Sequence, residues 1–579
     1  MRFLKIRNRK TSEIISELKN IAALSRRYMS AVIIYTIMAA LSVVFGLLSS
    51  LVFQSLIDFV TKSQSTNSIL QFNSVKAAVC AAVFFTVFKI VFSAVNTRVA
   101  EKIRIKIVTE MTADAFDKFI CSGWEYTSDF TSGDILNRFN SDVPTVAASV
   151  IGIIPTIITK AFQFGAAFLI VFYYDRVMAL LALITIPLSL VCSRFLVKKM
   201  HSYAKSLKKI SSKLMAFNSD ALLNMQYLKS FGLVTIFCSK LRQLQKEYIS
   251  LSLDYNKFSI IVTSVMSFVT QIVTYSCFGW GVYRLWAGAI SFGTLVLFIQ
   301  LYGMLSGSFS SIISIVPTLI NAVAASERIT EIKNLPLDEP LDSPETDRFF
   351  EESKNNSLKL KLSEVSFRYK EGEENALNLI SFECDTGDFV ALTGPSGEGK
   401  TTMLRLFLAL VRAGEGECCI INNETNARID ISPSSRQFFS YVPQKNTMFG
   451  DTLSSNLRMV KPEATDEEII AALKTACAYD FVMKEKHGIN CLVGDGGVGF
   501  SEGQMQRLSI ARALLRDAPI ILFDEATSAL DVDTEQRVLK NLAEWGKNKI
   551  CIFTTHRSSV FDVCNKAYMV TDSDCISVL

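Results

Sequence analysis

The chain has 579 residues, is 50% hydrophobic and has a mean hydropathy of +0.30, which makes it too long for one ordinary domain and too apolar for a purely soluble one. Its net charge of +5 is small for this length and spread out, so no electrostatic case for nucleic-acid binding arises. The 13 cysteines show no CxxC spacing and many lie in apolar runs, as Cys192 and Cys277 do, so they read as reduced structural thiols rather than a zinc site or a disulfide framework.

The chain opens on MRFLKIRNRK, a basic stretch with no short apolar region and small-residue cleavage site behind it, so the first apolar segment is expected to be retained. Six apolar runs follow, at about Met29 to Val60, Val75 to Val99, Val143 to Tyr174, Val177 to Val197, Phe258 to Leu285 and Phe292 to Val323. Each reaches the roughly 20 residues a helix needs to cross a bilayer. Pro155, Pro187 and Pro317 interrupt three of them, and membrane helices tolerate proline where neighbours satisfy the freed backbone groups. The connections near Asp58 to Ser74, Tyr174 to Arg176 and Tyr283 to Ser291 are short; those from Arg98 to Asp142 and Lys198 to Lys257 are long and rich in Lys and Arg. The positive-inside rule places the long connections and both termini in the cytoplasm. Their polar, helix-favouring composition predicts helices that continue beyond the bilayer to meet the C-terminal domain.

Within the runs, Lys89 and Lys160 are costly intramembrane charges and, with Gln163, Gln271 and Gln300, are candidates to line a central pathway for an anionic or carboxylate-bearing amphipathic substrate. The competing reading has each lysine snorkel to an interface.

After Ile332 the composition shifts to Pro336, Pro340 and Pro344 among acidic residues, then to the polar run Glu351 to Ser357. The chain therefore divides into a membrane domain (1–332), a linker (333–357) and a second domain (358–579). The last mixes short β-rich runs (Phe389 to Thr393, Phe438 to Val442, Ile520 to Phe523, Ile550 to Thr554) with helical stretches, so the fold class is an α-helical membrane bundle followed by an α/β domain.

Directly after the run Phe389 to Thr393 stands Gly394-Pro395-Ser396-Gly397-Glu398-Gly399-Lys400-Thr401-Thr402, which fits GxxxxGK[ST] in the required strand, loop, helix context. Glycines let backbone N–H groups turn around phosphate oxygens, and the helix N-terminus adds favourable potential. Lys400 is expected to reach the β- and γ-phosphates of ATP, and Thr401 to hold Mg2+. The apolar run Ile520 to Phe523 ends in Asp524 and Glu525. Asp524 suits magnesium; Glu525 is placed to act as a general base on the attacking water. The plainer reading makes both acids a cap for the next helix.

Between these motifs, Phe500-Ser501-Glu502-Gly503-Gln504-Met-Gln-Arg-Leu resembles the signature sequence of ABC ATPases. The remaining elements of that family stand in order: Tyr369 where it has an adenine-stacking aromatic, Gln444 in the Q-loop, Ser528-Ala-Leu-Asp531 as the D-loop, and His556 as the switch histidine. Singly, Tyr369 reads as a packed aromatic, Gln444 as a surface amide and His556 as a core histidine; the joint order and spacing carry the resemblance. It extends over the membrane half to the six-helix exporter-type ABC half-transporter. Thr131-Ser-Gly-Asp134-Ile-Leu-Asn-Arg138-Phe-Asn-Ser-Asp142 is similar to that family's first intracellular loop, and Ser219 to Gly232 to its second. Ile290 to Leu295 and Ala324 to Ile329 are similar to the start and end of its sixth helix.

The resemblance implies an ATPase whose nucleotide-binding domains close in pairs around two ATP molecules. Ser501 and Gly503 would then face the γ-phosphate held by the partner's Lys400, Gln444 would join Thr401 and Asp524 at the metal, and His556 would touch the phosphate in its own subunit. Short coupling helices in the two loops would dock near the Q-loop. Two departures stand out: Phe500 and Glu502 replace the usual Leu and Gly of the signature, and Leu492 replaces the acidic residue usual in Cys491-Leu-Val-Gly-Asp495-Gly-Gly497. A weakened signature fits a heterodimer with unequal sites, whereas the complete set Lys400, Asp524, Glu525 and His556 favours a homodimer. Export of a hydrophobic or amphipathic drug, lipid or peptide is the leading function. The alternatives are import of a metal chelate such as a siderophore on the same fold and a membrane-tethered regulatory ATPase. An ABC ATPase acting on ribosomes or DNA would lack the six apolar runs, and a leader-cleaving peptide exporter would carry a cysteine peptidase domain. The expected location is a bacterial plasma membrane.

Overall fold

The computed structural model describes residues 26–61, 74–340, 342–354, 356–369, 375–395, 397–444, 448–494, 499–571 and 574–577, with the side chains of some positions between 181 and 208 and between 262 and 320 left aside. The chain divides into two compact units, one of residues 1–116 and 132–333 and the other of residues 117–131 and 334–579.

The first unit is built on six long helices: Met29–Val60, Val75–Ile120, Val143–Tyr174, Arg176–Leu223, Val234–Trp286 and Phe292–Lys333. Met29–Val60, Val75–Ile120 and the segment Ser132–Tyr174 are long and apolar enough among the described residues to cross a membrane. The second, fourth and fifth helices run 46, 48 and 53 residues. At about 1.5 Å per residue each is roughly twice as long as the ~30 Å hydrocarbon layer. Helices of this length have room for the predicted continuation beyond a bilayer. Pro155 sits inside Val143–Tyr174 without ending it.

Two apolar clusters hold this unit. Val32, Ile107, Val143, Val146, Ala147, Ala322 and Ile329 form one; Leu51, Ala167, Val171, Leu297, Phe298 and Leu301 form the other. Next to the second, polar groups replace packing. Asp58 Oδ1 accepts from the backbone N–H of Gly293 at 2.9 Å, Gln54 Nε2 donates to Thr294 at 2.9 Å, and Tyr174 donates to Gln54 at 3.0 Å. Gly293 is required there, since a Cβ would lie 2.4 Å from the Gln54 carbonyl. Beside the first cluster the guanidinium of Arg138 is only 7% exposed and bonds to Asp134, to Glu331 and to the Arg328 carbonyl. Arg328 in turn pairs with Asp142. A buried cation is sustained only when its donors are occupied in this way.

The second unit carries two sheets. β1 (Leu358–Phe367), β2 (Leu377–Asp385), β4 (Glu415–Asn422) and β5 (Arg428–Asp430) form an antiparallel sheet in the order β2-β1-β4-β5. On β1, Leu358, Leu360 and Leu362 are buried while Lys359 and Lys361 are half-buried, the period-two pattern of a sheet with one face on a core. β3 (Phe389–Thr393), β6 (Phe439–Val442), β9 (Ile520–Asp524), β10 (Ile550–Thr554), β11 (Lys566–Thr571) and β12 (Asp574–Ser577) form the other, in the order β12-β11-β3-β10-β9-β6, parallel except at β12. β9 and β10 are buried along their whole length, as strands of a sheet covered on both faces must be.

The segment read as a linker is partly folded. Pro344–Ser353 is a helix with Ser343 accepting from the Thr346 N–H and proline at its first turn; Phe349 and Phe350 pack on Phe438 with ring centroids 5.8 and 4.9 Å away. Pro344, counted among the linker prolines, starts this helix, because the first turn needs no N–H from it. Within residues 117–131, Gly123 N–H donates to the Pro336 carbonyl and Asp338 N–H to that of Cys121, which ties the short helix Trp124–Thr127 into this second unit.

Candidate nucleotide-hydrolysis site

The site lies at the C-terminal ends of β3, β9 and β10, which pair in parallel with β10 in the middle, so the loops leaving all three emerge side by side. From β3 the chain passes Gly394 (φ +135°), Gly397 (φ +100°) and Gly399 (φ +91°) before the helix Lys400–Phe407. A Cβ on Gly394 would lie 2.3 Å from the Val570 carbonyl, and one on Gly399 2.4 Å from Leu377 Cδ2. Only glycine fits either place, and the loop can wrap tightly at the helix N-terminus, where unpaired N–H groups favour phosphate. Lys400 is buried, with its ammonium donating to the carbonyls of Gly394 and Pro395 at 2.6 and 2.7 Å. Burial holds its pKa below the usual lysine range; the charges of Glu525, Glu398 and Asp524 pull it back up. Ser396 lies outside the described residues; Glu398 is half-buried.

Asp524 ends β9 and is 3% exposed. Its Oδ1 accepts from Thr554 at 2.8 Å and lies 3.4 Å from Thr401 Oγ1, while Oδ2 accepts from Tyr441 at 3.1 Å. Tyr441, buried against this carboxylate, is pushed well above the usual tyrosine pKa, first by burial and then by the charge, and so remains a donor. A carboxylate and a hydroxyl facing each other at a phosphate loop are hard oxygen donors suited to Mg2+, and the residues fit that ion.

Glu525 follows in the left-handed region (φ +48°), which turns its side chain out of the sheet. Its N–H donates to Thr554 Oγ1 at 3.0 Å. Gln444 Nε2 donates to Glu525 Oε2 at 2.8 Å, and His556 Nε2 stands 3.9 Å from Oε1. The structure thus brings Gln444 and His556 together on the glutamate.

Ser501 caps the helix Glu502–Arg516, accepting from the Gln504 N–H while Gln504 Oε1 accepts from the Ser501 N–H at 2.8 Å. A Cβ on Gly503 would lie 2.7 Å from the Ala529 carbonyl. Gln506 was not singled out from the sequence, yet it binds the Glu525 carbonyl (2.9 Å), Ser528 Oγ (3.3 Å) and the Ala529 N–H (3.0 Å), tying the signature helix to the loop after β9. Asp531 caps the helix Val532–Trp545 through the Thr534 N–H, and these bonds hold its pKa below the usual carboxylate range. Tyr369 bonds to Thr402 at 3.2 Å. Asp495 and Gly497 lie outside the described residues, and Leu492 is exposed on β8 (Leu492–Val493). Beside Tyr441 opens a cleft of about 410 Å³ lined by Leu408, Phe449, Arg436, Arg512 and Arg516.

In the membrane unit the pathway candidates converge only in part. Lys160 donates to Gln163 at 2.9 Å. Lys89 is exposed, and a Cβ added to Gly46 would meet its side chain at 3.6 Å; Gln271 is exposed and Gln300 half-buried.

Residues 32–309 match the family described as ABC transporter transmembrane region, and residues 377–528 match the ABC transporter family. An export ATP-binding/permease protein of Rickettsia bellii is 28% identical over 472 residues, 80% of each chain. An ATP-dependent lipid A-core flippase of Albidiferax ferrireducens is 29% identical over 490 residues, 82% of this chain and 79% of its own. The structure of a bacterial Atm1-family ABC exporter with ATP bound superposes with a TM-score of 0.75 at 20% identity, covering 96% of this chain and 95% of that one. The chain belongs to the ABC transporters, as an exporter-type half-transporter that fuses a helical transmembrane domain to an α/β ATPase domain and drives transport by ATP hydrolysis.

Proposed function

We propose that this half-transporter works as a homodimer in a bacterial inner membrane, with both termini cytoplasmic, and exports a hydrophobic or amphipathic molecule. The carrying observation is that Glu525, Gln444 and His556 converge beside Thr401 and Asp524 in a single chain. A chain so equipped needs no second, different half to supply a hydrolytic site. The names of the similar proteins, an exporter and a lipid A-core flippase, support outward movement of an amphiphile.

On this reading the glycine loop and Lys400 bind the triphosphate, and Thr401 and Asp524 hold Mg2+, which when bound neutralises charge on the phosphates. Glu525 accepts a proton from the attacking water while Gln444 and His556 orient it. Ser501 and Gly503 of one copy complete the site of the other, so closure depends on ATP and opening on hydrolysis. The membrane domain comprises residues 1–332, the ATPase domain residues 358–579, and the linker between them carries the helix Pro344–Ser353. Lys160 and Gln163 contribute a polar position for an anionic headgroup, with Lys89, Gln271 and Gln300 lining the same pathway at further points.

The test is the purified chain, alone in nanodiscs: mass, Mg-ATPase activity, and transport of fluorescent phospholipid or lipid A analogues in inside-out vesicles. A dimer that hydrolyses ATP and clears the analogue only with intact Glu525 is expected. An inactive or monomeric chain would end the homodimer reading, and uptake in right-side-out vesicles would reverse the direction.

A further inference from the structure

Tyr369 carries its ring on a short link after β1, packed edge-on against Phe367 with centroids 4.8 Å apart. Its hydroxyl is held by two residues of the phosphate-loop helix: Thr402 Oγ1 at 3.2 Å and Arg405 Nη1, which donates to it at 2.8 Å. Arg405 has a second engagement. Its guanidinium carbon lies 4.7 Å from the centroid of the Trp124 ring. Trp124 opens the short helix Trp124–Thr127 and packs on the apolar cluster of Leu360, Leu404 and Phe407. The chain reaches Trp124 directly from the helix Val75–Ile120. One cation is therefore shared between the hydroxyl of the aromatic platform and an aromatic ring on the loop that follows a long helix of the membrane domain.

We propose that Arg405 is a positioning residue for the nucleotide base, and that Trp124 fixes Arg405, so that the first cytoplasmic loop sets how well the adenine platform binds. This rests on the reading of Tyr369 as that platform. A flat guanidinium suits both tasks at once: it can set its charge over the indole while one N–H donates to the phenol. Lysine could supply the charge but not the planar fork. When Arg405 is clamped, the Tyr369 ring is held in one orientation, and stacking of a base costs less ordering; when Trp124 moves with its loop, that advantage is lost. Energy then passes in both directions, because a loop position that favours the base is favoured by the base in turn.

The relay predicts a base-specific defect, since Lys400, Thr401 and Asp524 are untouched. In the full chain in nanodiscs, Arg405→Gln is expected to raise the KM for ATP by about three- to ten-fold with kcat within about two-fold. Inhibition of the same variant by magnesium tripolyphosphate, which has no base, is expected to stay unchanged. Trp124→Leu should give part of the KM effect, and adding it to Arg405→Gln should raise KM no further. Arg405→Lys, the milder change, should fall between. Tyr369→Ala is the reference. If it raises the KM and Arg405→Gln does not, the relay is wrong and the platform stands. If Tyr369→Ala leaves the KM unchanged, the platform reading fails and the relay with it. Equal weakening of ATP and tripolyphosphate by Arg405→Gln would show general damage to the phosphate loop and overturn the proposal. Additive effects of Trp124→Leu and Arg405→Gln would overturn the link to the loop.

Discussion

The two units differ in what meets their most buried charges. In the membrane unit, Arg138, Asp142, Asp58 and Asp175 are buried and mostly locked into ion pairs or backbone contacts: Arg138 to Asp134 and Glu331, Asp142 to Arg328, Asp175 to Arg284 at 2.8 Å, Asp58 to the Gly293 N–H. These groups staple the long helices to one another near their ends. In the ATPase unit, Lys400 and Asp524 are as deeply buried, but Lys400 is met by loop carbonyls and Asp524 by hydroxyls. Charges held that way remain free to engage a nucleotide and a metal. The ATPase unit also keeps structural pairs, Glu535 with Arg557 and Asp388 with Lys566, so what sets it apart is the second kind of buried charge, Lys400 and Asp524, held by neutral groups at the site.

The sharpest test of that contrast is a pair of substitutions. Glu525→Gln keeps size and most hydrogen bonding, so ATP binding and thermal stability should persist while steady-state ATPase falls by about 100-fold or more. Arg138→Ala should do the reverse. It removes a buried guanidinium together with its bonds to Asp134, Glu331 and the Arg328 carbonyl and leaves a cavity, so a loss of roughly 3 kcal/mol is expected, read as a lowered unfolding midpoint in detergent. ATPase per folded molecule should survive. If Arg138→Ala folded normally, or Glu525→Gln unfolded, the division would be wrong.

A smaller effect probes the second staple. Gly293→Ala puts a methyl where the Gln54 carbonyl and Asp58 Oδ1 already stand, at 2.4 and 2.6 Å. The cost should be about 1–3 kcal/mol, and Gly293→Ala combined with Asp58→Asn should cost less than the sum of the two. Smaller still is the effect of Glu502→Gly. Glu502 is exposed in the first turn of the signature helix, where its charge suits the helix end but opposes an incoming phosphate. The substitution should lower the ATP concentration for half-maximal hydrolysis about two- to five-fold, less so at high salt.

What could be read from the sequence follows the same division. The phosphate loop, Asp524 and Glu525 were legible because their chemistry needs fixed residue types at fixed spacing beside a strand, and the strand runs supplied that context. Six apolar runs sufficed for the helices. Gln506, Tyr441, Thr554 and Arg405 were not legible as site residues. Each acts through partners 19 to 83 positions away, brought near by the fold around the parallel strands. Nothing in Gln506 itself distinguishes it from a surface amide until the loop after β9 lies against it. The place of residues 117–131 in the second unit was legible only as a docking loop, since no local pattern marks a stretch whose partners are the backbone of 336–338.

The gentlest prediction concerns thiols, which are close neighbours of the site without belonging to it. Burial raises Cys551 on β10 to about 12, with Lys549 partly opposing it, and burial raises Cys564 to about 12 as well. At pH 7.5 their thiolate fractions should be far below that of an ordinary cysteine near 8.5, so maleimide labelling of the folded chain should spare them and mark the exposed Cys121 and Cys238. The same shifts have a sign for stability. Between about pH 9 and 12 the unfolded chain loses these protons while the folded one keeps them. The unfolded state therefore binds fewer protons, and stability must fall as pH rises through that window. Each thiol can contribute at most about 1.4 kcal/mol per pH unit. A midpoint of unfolding that drops between pH 9 and 10.5, and drops less in a Cys551→Ala, Cys564→Ala variant, would show that this core excludes charge which no partner holds, whereas the site a few residues along the same strands admits it.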